Sequence, residues 1–263
     1  MEGLLIFLMV MAILLYIQFP HTEGKDCNWM KGYCAHRGLF DKAQGIEENS
    51  PSAFQRAVDA GLNIEMDVRI TQDRELIVFH DANGHRMLGV DQAIESMTLE
   101  DIRRYPLINT NEHVMTLREF LTMVNGCVGL IIEIKATSDN QLTARLCAEV
   151  LDQYTGRYAI CSFRPEIIRW YNIHRPQVIR GQLIENMLGS HTHTPIIRLL
   201  QSFNGFAMFT KPNYLSVEYR HAKFFRWIRA FGGILCVWTI RDQTWMDRKP
   251  HPADTVIFEN VKI

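Results

Sequence analysis

The feature that most restricts what this chain can fold into is a rhythm. Short apolar runs, each about long enough for one strand, alternate with amphipathic stretches of helical spacing. The strand candidates are Tyr33–Ala35, Asn63–Ile70, Leu76–Phe79, Gly129–Ile134, Tyr158–Ser162, Val178–Leu183, Gly205–Phe209 and Ile234–Thr239, with Thr255–Phe258 as a spare. Helical patterns occupy Ser52–Ala60, Asn140–Tyr154, Arg164–Ile173 and Tyr219–Phe231. Ser50-Pro51 reads as a cap followed by a first-turn proline, and Ala60-Gly61 as the stop. About eight strands alternating with helices over about 240 residues predict an α/β fold, a (β/α)8 TIM barrel. The alternative, an open doubly wound sheet, is weakened because no G-x-G-x-x-G or P-loop pattern follows any strand. The distance between the third and fourth strands is too long for one helix. Residues 82–125 are therefore expected to make a small excursion at the rim after the third strand, ending in a helix opened by Thr116.

Composition narrows the function. With 47% hydrophobic and 22% charged residues the chain can build a sizeable core, which excludes disordered and collagenous classes. A net charge of -1 and the absence of any long Lys/Arg run argue against nucleic acid as a partner. The start of the chain is different material. Between Gly3 and Pro20 the only clearly polar side chain is Gln18, and as a helix this run would span roughly 27 Å. No basic residue precedes it and no A-x-A-like cleavage site follows, so residues 1–24 read as a retained membrane anchor rather than a cleaved signal. Lys25, Lys31 and Arg37 follow the run, which places the rest of the chain in the cytoplasm by the positive-inside rule; cleavage would instead make it secreted. Residues 25–263 contain no linker or repeat and are expected to form one catalytic domain. Six cysteines without a C-x-x-C pair exclude zinc ribbons, and Cys34, Cys161 and Cys236 lie in strand-like runs where a thiol behaves as a small hydrophobe.

Strand alternation locates the chemistry. In the second strand Ile64, Met66, Val68 and Ile70 share one face, and Asn63, Glu65, Asp67 and Arg69 share the other, expected to point to the barrel axis. In the fourth, Glu133 and Lys135 share a face in the same way. Inward carboxylates cannot all stay ionised without a cation. Glu65, Asp67 and Glu133, with no His or Cys at ligand spacing, suit one divalent cation, Mg²⁺ or Ca²⁺. The alternative is a network of buried ion pairs, Glu65 or Asp67 with Arg69 and Glu133 with Lys135. Two histidines decide between these readings. His36 ends the first strand and His80 the third, both at the barrel face that carries active sites, where they look like an acid and a base.

The residues also match a pattern. His36-Arg37-Gly38, Glu48-Asn49-Ser50, Glu65-Met66-Asp67, Thr71-Gln72-Asp73 and Phe79-His80-Asp81 resemble, in order and spacing, the signature of the glycerophosphodiester phosphodiesterases. The likeness continues through Arg86, Glu133-Ile134-Lys135, Ser162-Phe163 and Trp238-Thr239. The resemblance implies a phospholipase-C-like barrel in which His36 and His80 are the acid and base, in an order left open. It implies that Glu65, Asp67 and Glu133 hold the metal, that Arg37 and Lys135 neutralise the phosphodiester, and that Trp238 walls the substrate pocket. The expected reaction cleaves glycerophosphodiesters to sn-glycerol 3-phosphate and an alcohol. The anchor adds lysophospholipids as alternative substrates, and a catalytically inactive phosphate-ester-binding barrel is a further alternative. One departure stands out: many members of that family close with Thr-Asp-x-Pro after the last strand, where this chain has Ile257-Phe258-Glu259-Asn260. No catalytic role is assigned to that position. Two other patterns are set aside. His191-Thr-His193 reads as a solvated loop, and His221-Ala-Lys223 lacks the Asp that a phospholipase D motif needs at position 228.

Overall fold

The computed structural model describes residues 2–189, 194–248 and 251–263. Its centre is a closed ring of eight parallel strands: β1 (Gly32–His36), β2 (Asn63–Ile70), β4 (Leu130–Ile134), β5 (Tyr158–Ser162), β6 (Ile179–Ile184), β7 (Tyr214–Glu218), β8 (Ile234–Ile240) and β9 (Thr255–Phe258). Neighbours pair in chain order, and the seam closes where β1 pairs with β9 on one side and β2 on the other. The expected barrel is present, with two exchanges among its strands. The third run, β3 (Leu76–Val78), lies outside the ring as the returning arm of a hairpin, antiparallel to β2. The run at 205–209 is not a strand either: after Asn204, whose backbone is left-handed, it enters the short helix Ala207–Thr210. An apolar run that short does not distinguish a strand from a helical turn. The true seventh strand, Tyr214–Glu218, and the spare Thr255–Phe258 complete the ring.

The helices are α1 (Glu2–Gln18), α2 (Pro51–Asp59), α3 (His85–Leu88), α4 (Leu99–Ile102), α5 (Leu117–Val124), α6 (Asn140–Leu151), α7 (Pro165–His174), α8 (Pro195–Ser202), α9 (Ala207–Thr210), α10 (Trp227–Ala230) and α11 (Gln243–Met246). Their ends are written in side chains. Ser50 Oγ accepts from the Ala53 N–H to open α2. Thr116 and Glu119 form a reciprocal capping box on α5, which stops at left-handed Asn125. Asp139 caps α6. The amphipathic stretch expected over 219–231 is broken into a 3₁₀ turn (Ala222–Phe225) and α10, so it has no continuous apolar face. Phe225 and Ile228 are buried, whereas Phe224 and Phe231 are exposed. Trp227 is half-buried with its ring 6.1 Å from that of Phe19.

Two apolar layers result. The outward face of β2, with Ile64, Met66, Val68 and Ile70, packs with α2, α5, α6 and α7 residues such as Phe54, Phe120, Cys147 and Tyr171. Each fully buried side chain of this size contributes about 1.5–3 kcal/mol. The barrel interior is the second layer: Cys34, Ile131, Cys161, Tyr214, Cys236 and Ile257. All six cysteines are free thiols. Tyr214 fills the axis because residue 181 is glycine; a Cβ there would stand 2.2 Å from the Tyr214 ring. Below this layer Trp29 lies over Gly129, and Asn63 donates to the Trp29 carbonyl. Residues at the start of β6 and β7 also hold the incoming chain: Arg180, fully buried, pairs with Glu23, and Asn213 donates to the His21 carbonyl.

The apolar run near the start forms α1, 17 residues that end ahead of Pro20. Leu4, Leu5, Ile6, Phe7, Leu8 and Met9 are exposed on it. Among the described residues no helix is long and apolar enough to cross a membrane. His191 and His193 lie outside the described residues.

Candidate active site

The interior turns polar toward the carboxyl ends of the strands. His36 pairs in register with Glu65, and Asp67 with Glu133, so the alternating faces of β1, β2 and β4 deliver four of the expected groups side by side. Just beyond His36 the backbone turns sharply: Arg37 and Gly38 both have positive φ, 56° and 82°. A Cβ at position 38 would stand 2.8 Å from the Ala53 backbone, so only glycine fits. This turn swings the Arg37 side chain back over the mouth. His80 arrives differently from expectation. It does not top a barrel strand; β3 runs back down the outside of β2, the Phe79 N–H donates to the Asp67 carbonyl, and His80 is set down beside the mouth.

Glu65, Asp67 and Glu133 are buried, and one oxygen from each lies within 4.8 Å of the others. Lys135 Nζ stands 3.0 Å from Asp67 Oδ1 and 2.8 Å from Glu133 Oε1, and Arg37 Nε stands 3.2 Å from Asp67 Oδ2. Asn49 Nδ2 donates to the same Asp67 oxygen at 2.9 Å. Of the alternative ion-pair network the Glu133–Lys135 pair is present, whereas Arg69 pairs with neither Glu65 nor Asp67 and donates to the carbonyls of His80 and Ala136. Burial would raise the Asp67 carboxyl, but Lys135 and Arg37 outweigh it and hold it far below the usual range. Glu65 goes the other way, raised by burial and then by Asp67 and Glu133. Without a metal, the raised Glu65 carboxyl relieves the crowding of three acids against Arg37 and Lys135; a bound cation would let all three ionise. An all-oxygen donor set of this kind fits a hard divalent cation.

Each imidazole is gripped at Nδ1 by a carboxylate. His36 Nδ1 is bonded to Glu259, which also takes Arg241, and His80 Nδ1 to Asp81 at 2.7 Å. His36 Nε2 then lies 3.6 Å from Glu65 Oε2, and both histidines line the mouth. Burial lowers the pKa of both, against the opposing pull of Glu259 on His36 and Asp67 on His80. A chain of ion pairs then joins the two sides of the mouth. Asp81 takes Arg86 at 2.7 Å, Arg86 takes Glu48 at 2.7 Å, and Glu48 takes Arg37 at 2.6 Å.

Comparison with known proteins shows the family. The model of the glycerophosphoryl diester phosphodiesterase family matches residues 36–262. The chain belongs to that family. It is 37% identical over 110 residues to a glycerophosphodiester phosphodiesterase of Caldanaerobacter subterraneus subsp. tengcongensis, covering 39% of this chain and 44% of that one. It is 32% identical over 94 residues to lysophospholipase D GDPD1 of Rattus norvegicus, covering 35% of this chain and 29% of that one. The matches thus span less than half the length of these curated relatives. The fold is similar to that of an Oleispira antarctica phosphodiesterase solved in complex with the product sn-glycerol-3-phosphate, with TM-score 0.71, 19% identity, and coverage of 88% and 93% of the two chains.

Within this family domain the mouth encloses a cavity of about 200 Å³, lined by His36, Arg37, Glu65, His80, Glu133 and Lys135 on one side. Trp238 lines the other side, beside Phe163. All eight residues singled out in the sequence are therefore gathered at one mouth, Asp67 just beneath its floor. Sequence reading missed Glu259, Glu48 and Asn49 as working parts. The signal for the last two was present in the Glu48-Asn49-Ser50 motif, without a role attached. Glu259 lies in the stretch where the chain departs from the family's closing motif, to which sequence reading attaches no catalytic role; it holds His36. His221 is buried, its Nε2 bonded to the Ser202 carbonyl, and takes no part in the mouth.

Proposed function

We propose that this domain hydrolyses glycerophosphodiesters to sn-glycerol 3-phosphate and an alcohol. The observation that carries the reading is the convergence of two carboxylate-anchored imidazoles on a buried cluster of three acids and two cations. A phosphodiester monoanion repels nucleophiles, and its alkoxide leaving group departs only when protonated. Glu65, Asp67 and Glu133 would hold a divalent cation, Mg²⁺ or Ca²⁺, which when bound supplies charge neutralisation at the phosphoryl oxygens. Arg37 and Lys135 act on the same oxygens from their fixed ion pairs. One histidine takes a proton at Nε2 from the nucleophile, water or the neighbouring glycerol hydroxyl, and the other delivers one to the leaving oxygen. Glu259 and Asp81 hold the Nδ1 protons, so the neutral base offers a free Nε2, while the acid, protonated at both nitrogens, carries at Nε2 the proton it delivers. The test is a hydrolysis screen across glycerophosphodiesters with EDTA and metal add-back. Turnover that EDTA abolishes and Mg²⁺ or Ca²⁺ restores supports the reading; metal-indifferent turnover or none defeats it.

Lysophospholipids are a second substrate class, favoured by α1 and by the name of the Rattus norvegicus relative. A helix apolar on every side has no single face to bury against a domain, so we read residues 1–24 as the segment that holds the enzyme at a bilayer. Lys25 and Lys31 beyond it favour a cytoplasmic domain. Product analysis with lysophosphatidylcholine, and membrane extraction with and without residues 1–24, test these two points.

A further inference from the structure

The cavity has two chemically distinct halves. The half described above is organised for phosphate. The other half is lined by Phe163, Leu183, Glu218, Tyr219 and Trp238, drawn from β5 to β8. Phe163 and Trp238 meet edge to face at 5.6 Å, and Glu218 is the register partner of Trp238 on the adjacent strand. Glu218 Oε2 accepts the backbone N–H groups of Arg220 at 3.1 Å and His221 at 3.2 Å, which fixes the carboxylate at the top of β7. Among the described residues no Lys or Arg side chain forms an ion pair with Glu218, whereas Glu48, Asp67, Asp81, Glu133 and Glu259 around the mouth each have one. Glu185, just past β6, feels burial first and then Glu133 and Glu218, which raise its carboxyl. The Trp238 indole N–H is buried without a hydrogen-bond partner, a donor left for a ligand oxygen.

Acids on this side oppose an anionic substrate unless the far end of that substrate is positive. A carboxylate beside aromatic rings is also the chemistry that receives ammonium groups. We propose that this half is a headgroup subsite for a cationic alcohol, an amino alcohol or its quaternary ammonium form, with Glu218 as the charge partner and Trp238 and Phe163 as the aromatic walls. The proposal rests on the phosphodiesterase reading for its substrates, but the subsite itself can be tested without turnover.

The experiment uses the full chain, wild type and Glu218→Gln, in two arms. In the first, kcat/KM is measured for glycerophosphocholine and glycerophosphoethanolamine against glycerophosphoglycerol and glycerophosphoinositol. Wild type is expected to favour the cationic pair by ~10-fold or more, and E218Q to collapse that ratio toward one, chiefly through KM. In the second, tryptophan fluorescence follows titration with choline and with its neutral isostere 3,3-dimethylbutan-1-ol. Wild type is expected to bind choline the more tightly, and E218Q to lose the difference while melting at the wild-type temperature. Equal use of all four substrates, a ratio that survives E218Q, or equal binding of choline and its isostere overturns the subsite. An equal loss on every substrate in E218Q also overturns it, since that assigns Glu218 to the glycerol end or to the fold. Absence of all hydrolysis with choline discrimination intact defeats the phosphodiesterase reading and leaves the subsite standing.

Discussion

His36 and Glu259 are separated by 223 positions in sequence and joined by a single hydrogen bond across the barrel seam. Burial would raise the Glu259 carboxyl, yet His36 and Arg241 hold it down to about 2, so it is ionised at neutral pH. Replacing it with Gln keeps the shape and removes the charge. Glu259→Gln is expected to lower kcat by about 10²-fold with KM little changed, and Glu259→Asp to recover part of the loss. Steady-state kinetics on the two variants check this; unchanged kcat in E259Q would show that Glu259 merely packs there.

The imidazoles are expected to be indispensable for turnover and dispensable for the metal. His36→Ala and His80→Ala should each lower kcat by about 10²–10⁴-fold. Each should keep the rise in melting temperature on adding Mg²⁺ or Ca²⁺, because the three acids remain. Full activity in either variant refutes the assignment.

Acid should disable the base before it unfolds the domain. Burial lowers both histidines below 6.5, so the acidic limb of kcat/KM is expected below pH 6.5 and not at neutrality. The same shifts act on stability. A histidine depressed in the folded state binds its proton more readily when unfolded, so its contribution is complete above pH 6.5 and is lost as pH falls through the lowered value. A pH–rate profile with its acidic limb above 7 would contradict the burial of both rings.

Glu65 should behave as a metal ligand that strains the metal-free protein. Its carboxyl is raised, so the folded state holds a proton that the unfolded chain gives up near 4.5. Its contribution is therefore present below pH 4.5 and lost as pH rises through the raised value. In EDTA at pH 8, Glu65→Gln is expected to be more stable than wild type by about 1–3 kcal/mol and to gain nothing from added metal. Denaturant melts with and without metal measure both effects; a destabilised, metal-responsive E65Q would exclude the site.

Below the mouth, Gly181 and Tyr214 are matched in volume. Gly181→Ala places a methyl carbon 2.2 Å from the Tyr214 ring and should cost about 1–3 kcal/mol by overpacking. Combining it with Tyr214→Leu should recover part of that loss, read from the coupling in a double-mutant cycle.

What could be read in advance divides by range. The faces of Asn63–Ile70 follow from alternation alone, so Glu65 and Asp67 were placed before any fold was known. The caps at Ser50 and Thr116 are equally local. Strand β7 is not legible locally because Tyr214–Glu218 is short and mixes Ser216 and Glu218 with its apolar residues, while the nearby run 205–209 is more continuously apolar. The hairpin that brings in His80 depends on β3 pairing back onto β2, which no local pattern specifies. Glu259 was invisible for the same reason: its partner lies at the other end of the domain.

Since β9 is both the last strand of the ring and the neighbour of β1, the barrel closes only when Thr255–Phe258 docks between β8 and β1. A nascent chain that has emerged only through β8 holds both imidazoles and all three acids in an open sheet whose first strand has one bare edge. His36 gains its carboxylate grip in the same event that seals that edge. Seal and grip are thus one event: a ring lacking Thr255–Phe258 has His36 in place with nothing bonded at its Nδ1.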